Sequence, residues 1–422
     1  MSDYLAMDKA TLAAERDQLQ AAYEAFAQKG LKLDMSRGKP APQQLDLSMD
    51  LLKIEDYKDA DGMDTRNYGG LEGCSEARAY FGEMLGTPPE KTLVAGNSSL
   101  NMMYHVIDLG YRKGFSDSPK PWKDCGTIKF LCPSPGYDRH FRITEDFGFE
   151  LVLVDMTPEG PDMDQVEKLA QDEAVKGLWC VPVYSNPDGY TCSAATVERL
   201  AKMKTAAPDF RIMWDNAYGV HHLTDAHEGC PNLLAACEAA GNPNRAVMFC
   251  STSKITFAGG GVGAVGLSDG NMADLKKYLF PMTISYDKTN QLRHVRFLQK
   301  VGLEQLMKKH AGLLKPKFDA VAETLQAELG SCGEIARWTK PKGGYFISLY
   351  LMEGCASRVV ALCKQAGVVL TGAGAAYPYG KDPKDSHIRI APSFPTSEEL
   401  KQAAELLCIA ARLASVEKLL AS

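Results

Sequence analysis

Residues 245–266 read RAVMFCSTSKITFAGGGVGAVG. Residues 245–250 suit a short apolar strand. Ser251, Thr252 and Ser253 leave it, Lys254 follows, and a run of glycines comes next. A lysine just past a buried strand, flanked by hydroxyls and glycines, is a candidate Schiff-base lysine. A largely dry site lowers the cost of deprotonating its ammonium. Taken alone, such a lysine is more often a solvated surface charge, so the case rests on its neighbours.

Working outward, a strand–loop–helix pattern repeats. KTLVAG is a strand, and Gly96, Asn97, Ser98 and Ser99 open the helix LNMMYHVIDLGYR. Small polar residues there are N-caps first, and they also leave free N–H groups able to hold a phosphate. GTIKFLC is a strand followed by PSPGYDRH and the helix RITEDFG. FELVLVD leads into the helix DMDQVEKLAQ. GLWCVPVYS ends at Asn186-Pro187-Asp188-Gly189, and RIMWDNAYG delivers Asp215 and Tyr218. Strands alternating with helices of this length predict βαβ units and a mostly parallel sheet covered on both faces. Ligands of such sheets sit at the carboxyl ends of the strands. Asn97, Tyr137, Asn186, Asp215, Tyr218 and Lys254 all fall just past strand ends.

Two loops lie before this pattern. Residues 8–29 have helical spacing, and a stretch follows through Arg37, Gly38, Lys39 and Pro40 that is either a plain turn or a close approach to ligand. Asn67-Tyr68-Gly69-Gly70-Leu71-Glu72-Gly73 is a second Gly-rich loop. From about residue 290 a single long helix is expected to about 329. The strand KPKGGYFISLYL, the helix SRVVALCKQAG, the strands VVLTG and SHIRIAPS, and a last helix SEELKQAAELLCIAARLAS complete a smaller α+β unit. The expected division is 1–60 (N-terminal arm and part of the small domain), 61–300 (large domain) and 301–422 (small domain).

The 422 residues carry 45% hydrophobic and 24% charged side chains and a net charge of −6, as in ordinary globular proteins. Interspersed charge argues against nucleic acid or a polybasic membrane surface as partner. No apolar run is long enough to span a bilayer, and the first residues carry no signal-peptide pattern. Twelve scattered cysteines without a C-x-x-C pair read as the reduced thiols of a cytoplasmic protein.

Together these residues suit one cofactor. A lysine forms an imine with an aldehyde, an aspartate pairs with a pyridinium nitrogen, an aromatic ring stacks on a flat heterocycle, and hydroxyls with N–H groups hold a phosphate. That set describes pyridoxal 5′-phosphate. Their order resembles the fold-type I, class I/II aminotransferases over essentially the whole chain. NYGGLEG is similar to the family's Asn-Tyr-x-Gly-x-x-Gly loop, and GNSSL to its phosphate cradle. PGYDRH resembles the helix start that lays Tyr137 over the ring. Asn186-Pro187-x-Gly189 resembles N-P-x-G, Asp215-x-x-Tyr218 resembles D-x-x-Y, Ser251-x-Ser253-Lys254 resembles S-x-S-K, and PKGGYF the small-domain P-x-G-G-x-F strand. Arg389 in HIRIAPS takes the place of the α-carboxylate arginine. The style most resembles the bacterial type Ic aspartate aminotransferases, related to MocR regulators. The resemblance implies a mostly parallel, seven-stranded type of sheet between helices, Asp215 on the ring nitrogen, Tyr218 and Asn186 on the ring oxygen, a homodimer with shared active sites, and Tyr68 supplied by a partner subunit. The family's phosphate-pairing arginine, about eight residues past the lysine, has no counterpart in Gly259-Gly260-Gly261-Val262-Gly263.

Lys254, once free, is positioned to shuttle a proton as general acid and base. Arg389 offers a planar fork to a carboxylate. A dicarboxylate substrate needs a second cation, for which Lys288, Arg293 and Arg37 are candidates. Competing readings are weaker. Residues 261–266 form G-x-G-x-x-G, but a turn rather than a helix follows. His221, His222, Asp225 and His227 lack the H-E-x-x-H spacing of a zinc helix. The expected function is transamination from L-aspartate to 2-oxoglutarate. The alternatives are an aminotransferase for alanine, aromatic amino acids or 2-aminoadipate, a lyase on the same scaffold, or a cofactor-sensing regulator. The last is disfavoured because no basic helix-turn-helix is present.

Overall fold

A computed structural model describes residues 3–226 and 229–422. Its centre is a sheet of eight strands. In spatial order these are Thr92–Val94, Gly263–Gly266, Ala246–Ser251, Arg211–Asp215, Val175–Cys180, Lys129–Ser134, Glu150–Thr157 and Gly160–Pro161. The five strands from Ala246–Ser251 to Glu150–Thr157 run parallel. Gly263–Gly266 is antiparallel to both of its neighbours, so Thr92–Val94 points the same way as the parallel set. The last strand is a two-residue edge. The expected mostly parallel, seven-stranded type of sheet is therefore present with one short addition. Its central strands are buried along their length, because helices cover both faces and two apolar cores form. This is why these strands read as continuous apolar runs rather than alternating ones.

A second, three-stranded antiparallel sheet joins Ala336–Trp338, Ile347–Leu351 and His387–Ile390. It packs into one apolar core with the helices Lys9–Ala27, Leu303–Leu329 and Ser397–Ala421. The chain's first helix thus shares a core with its last. Thr396 and Glu399 form a capping box at the start of the C-terminal helix, satisfying donors that a bare terminus would leave open.

Two expectations need correction. The single long helix is two, Lys288–Val301 and Leu303–Leu329. Gly302 separates them at φ +76°, a left-handed conformation that ends a helix and that glycine adopts at little cost. The apolar run GLWCVPVYS is strand only over Val175–Cys180. Pro182 follows without an N–H to give to a sheet ladder, and the chain turns towards Asn186.

The G-x-G-x-x-G run is no nucleotide loop. It forms the antiparallel strand Gly263–Gly266, and a Cβ at Gly263 would stand 2.7 Å from the carbonyl carbon of Ser98. Glycine here lets the strand pack on the start of the helix Ser99–Arg112.

Candidate functional site

The strand ends deliver the expected side chains to one cleft. Asp215 is the last residue of its strand and is 2% exposed. Its Oδ2 accepts a hydrogen bond from His140 Nε2 at 2.9 Å, while its Oδ1 is buried with no partner among the described residues. A buried carboxylate oxygen left open is expensive unless something donates to it. His140 lies in the first turn of the helix Asp138–Asp146. Its ring stacks on Trp179 at 4.5 Å and meets Tyr137 edge-on at 4.9 Å. Packing on both sides therefore holds the imidazole that holds the aspartate.

Lys254 lies three residues past its strand, in a turn. Its Nζ is 5.0 Å from the centroid of the Tyr218 ring. Enclosure by protein lowers its pKa, and the Asp215 carboxylate works in the opposite direction. The lysine is thus biased towards the free amine without losing its anionic neighbour. Burial pushes the Tyr218 phenol well above its ordinary value and Tyr137 up to about 12, so both hydroxyls keep their protons and act as donors.

Arg389 sits on the small sheet, 8% exposed. Its Nη1 donates to Asp138 Oδ1 at 2.9 Å and, at 3.4 Å, to Asn186 Oδ1. Its Nε is buried and has no partner among the described residues, an open donor suited to a carboxylate. Phe346 lies beneath, 5.0 Å from the guanidinium carbon and edge-on to Tyr218. Gly38 approaches that ring so closely that a Cβ would stand 2.4 Å from it, which brings the Arg37-Gly38 loop to the same cleft.

At the opposite side, Gly96 takes φ +68° and the helix Ser99–Arg112 begins without a side-chain cap. Ser98 Oγ bonds Asn101 instead, at 3.3 Å. The first-turn N–H groups stay open, as an anion site requires. Ser251 Oγ donates to Ser253 Oγ at 3.2 Å. In the arginine-less loop, Asn290 Nδ2 donates to the carbonyls of Gly260 and Gly261, both at 3.1 Å, and Val262 N–H to Thr252 Oγ1 at 2.9 Å.

Lys288 is 2% exposed, and its Nζ donates to the Asn67 carbonyl at 2.9 Å and Ser285 Oγ at 3.0 Å. Arg293 Nε donates to the Ile54 carbonyl. Tyr68 is 82% exposed. His221 faces the Lys254 carbonyl, and Tyr184 bonds His222. No group of three metal-binding side chains occurs among the described residues, and His227 lies outside them. Sequence reading missed His140, Asp138 and Trp179 as parts of the site. PGYDRH did hold a signal, since His140 lies three residues past Tyr137 and shares a helix face with it.

This fold, with a lysine, an aspartate and an arginine converging at the carboxyl edge of the sheet, is that of the pyridoxal-phosphate-dependent aminotransferases. A crystal structure of an aspartate transaminase from Corynebacterium glutamicum superposes with a TM-score of 0.96, at 45% identity over 99% of each chain. An aspartate aminotransferase of the same species is 47% identical, covering 94% of this chain and 92% of its own. The α-aminoadipate aminotransferase LysN of Thermus thermophilus shares the fold with a TM-score of 0.74 at 20% identity, over 95% and 96% of the two chains. The family model described as aspartate amino-transferase matches residues 7–422. The chain belongs to the aspartate amino-transferase family.

Proposed function

We propose that the protein is an aspartate aminotransferase that moves the amino group of L-aspartate to 2-oxoglutarate in two half-reactions, with pyridoxal 5′-phosphate in the cleft. The observation that carries this is the orphaned, buried Oδ1 of Asp215, near Lys254 and, across Tyr218, Arg389. An acceptor buried without a donor fits the protonated nitrogen of a pyridine ring. The uncapped helix start at Gly96, Asn97, Ser98 and Ser99, with Ser251 and Ser253, fits the phosphate. Bound there, the cofactor supplies an electron sink for the substrate's Cα.

The chain's own residues do the rest. Asp215 would keep a proton on the ring nitrogen, and His140 holds Asp215 in place. Tyr137, Tyr218 and Asn186 would hold the ring, the last two as donors to its oxygen. Lys254, its pKa lowered by enclosure, would hold the cofactor's aldehyde carbon, and its free amine is the base that would move the substrate's Cα proton. Arg389 takes the α-carboxylate on its open Nε edge while Asp138 and Asn186 hold Nη1. Arg37 takes the distal carboxylate, because Gly38 beside it packs on Phe346 beneath Arg389. Residues 61–300 would act as the cofactor-binding domain, with 1–60 and 301–422 closing over it. Phe280, Met282, Ile284 and Tyr68 are exposed apolar or aromatic residues, which supports a homodimer in which Tyr68 enters the partner's cleft. No helix among the described residues is long and apolar enough to cross a membrane.

The test is visible absorbance of the purified holoprotein before and after L-aspartate, L-alanine or L-phenylalanine. Loss of the bound-cofactor band with aspartate, and its return with 2-oxoglutarate, is expected. A band that ignores aspartate but responds to another amino acid would keep the chemistry and reject the substrate.

A further inference from the structure

The turn that carries Lys254 has two carbonyls that its own backbone leaves open. No backbone N–H among the described residues reaches Lys254 O or Ile255 O. Buried carbonyls need donors, and here side chains from three distant segments supply them. His310, on the helix Leu303–Leu329, faces Ile255 O through Nε2 at 3.0 Å. Tyr345, on the small-domain side, points its hydroxyl at Lys254 O at 3.5 Å, and His221 Nε2 lies 3.4 Å from the same oxygen. Gln44, from the N-terminal segment, joins two of them. Its Nε2 lies 3.0 Å from Tyr345 OH and 3.1 Å from His310 Nδ1, and its Oε1 accepts from Ala41 N–H at 3.0 Å. Gln44, His310 and Tyr345 are each 1% exposed.

The chemistry leaves one direction for the protons. Gln44 Oε1 is used by a backbone N–H, so its amide must donate twice, once to Tyr345 and once to His310 Nδ1. Tyr345, having accepted, is free to donate to Lys254 O. His310, accepting at Nδ1, must carry its hydrogen on Nε2, which is what Ile255 O requires. One amide therefore sets the tautomer of a histidine and the rotor of a tyrosine, and both end on the turn that aims Lys254. The bonds to Lys254 O are long and those to Gln44 and Ile255 are short, so the firm anchor is the Gln44–His310–Ile255 arm.

We propose that Gln44 is a positioning residue for Lys254, acting through His310 and Tyr345 on the turn's carbonyls, so that the N-terminal segment helps to aim the amine. The inference rests on the reading of Lys254 as the cofactor lysine. Small errors in aim matter because proton transfer requires close approach.

The experiment compares wild type, Gln44→Ala and Tyr345→Phe as holoproteins, each assayed well below its melting temperature. Three quantities are read: kcat, KM for aspartate, and the pH midpoint of the bound-cofactor band. Both variants are expected to lose about tenfold in kcat, keep KM within about twofold and shift the midpoint. A lower melting temperature with wild-type kcat and midpoint would show a packing role only and overturn the proposal. If Gln44→Ala does not fold, Gln44→Met, which keeps the length of the side chain and removes its bonds to both His310 and Tyr345, decides the matter by the same criteria. A parallel Lys254→Ala sample separates the two layers. If its visible band persists, the reading of the lysine falls and this proposal with it. If the band depends on Lys254 but the network variants behave as wild type, this proposal alone falls.

Discussion

Lys288 is buried and Lys254 half-buried, and removal from water lowers the pKa of each. Their surroundings differ. Lys288 opens the helix Lys288–Val301 and spends its ammonium on the Asn67 carbonyl and Ser285 Oγ, which ties down the loop bearing Tyr68. Lys254 donates no hydrogen bond through Nζ among the described residues and faces an aromatic ring with Asp215 beyond. Burial alone thus does not mark a reactive lysine. What separates the two is whether the amine has partners that hold it as a cation, or open space beside an acid and a ring.

The sharpest way to break that contrast is to remove each amine. Lys254→Ala should lose the bound-cofactor band and at least about 10³-fold in kcat. Lys288→Ala should keep the band, with activity within about tenfold and a looser Asn67–Tyr68 loop. If Lys288→Ala lost the band and Lys254→Ala kept it, the assignment would be reversed.

Next in size is the acid beyond Lys254. Asp215→Asn keeps the shape and the His140 contact but removes the charge that holds a ring proton. We expect kcat to fall by about 10²- to 10³-fold, with the protein still folded by circular dichroism. Wild-type turnover in this variant would mean that the orphaned oxygen serves no ring.

The substrate arginines give a smaller and more selective effect. Arg389→Lys replaces a planar fork by a point charge and should raise KM for every amino and oxo acid by about 10- to 100-fold, with a lesser change in kcat. Arg37→Ala should raise KM for aspartate and 2-oxoglutarate only. Equal penalties for alanine and aspartate in the Arg37 variant would remove it from the distal site.

The smallest effect concerns pH. His221 backs the Lys254 turn, and His294 sits on the Lys288 helix beside Thr256. Burial depresses His221 to about 3 and His294 to about 4, from an ordinary 6.5. The unfolded chain therefore binds more protons than the folded one between those values. Stability is full above pH 6.5 and falls as pH drops towards 4, by about 1.4 kcal/mol per pH unit for each histidine. Chemical denaturation at pH 7, 6 and 5 should show this decline, and His294→Gln should reduce its slope. A midpoint flat over that range would contradict the buried neutral histidines.

Much was legible in the chain itself because local rules were at work. Apolar runs of five or six residues between amphipathic helices marked the parallel strands, and the polar residues just past them marked one edge of the sheet. Asp215, Asn186 and Lys254 were found that way, since a strand end places its side chain whatever packs beyond it. Arg389 was found by resemblance, because nothing local in HIRIAPS distinguishes it from a sheet arginine. Tertiary structure alone decided the partners. His140 reaches Asp215 across 75 residues and Gln44 reaches Tyr345 across 301. Such pairs follow no period or motif spacing, only the packing of one layer on another. Tertiary structure also split the long helix at Gly302 and occupied Lys288 with carbonyls. The kinds of side chain at the site were written in the sequence. Which donor meets which acceptor, and so which lysine is left with a free amine, was settled when the small sheet and the N-terminal segment packed against the large one.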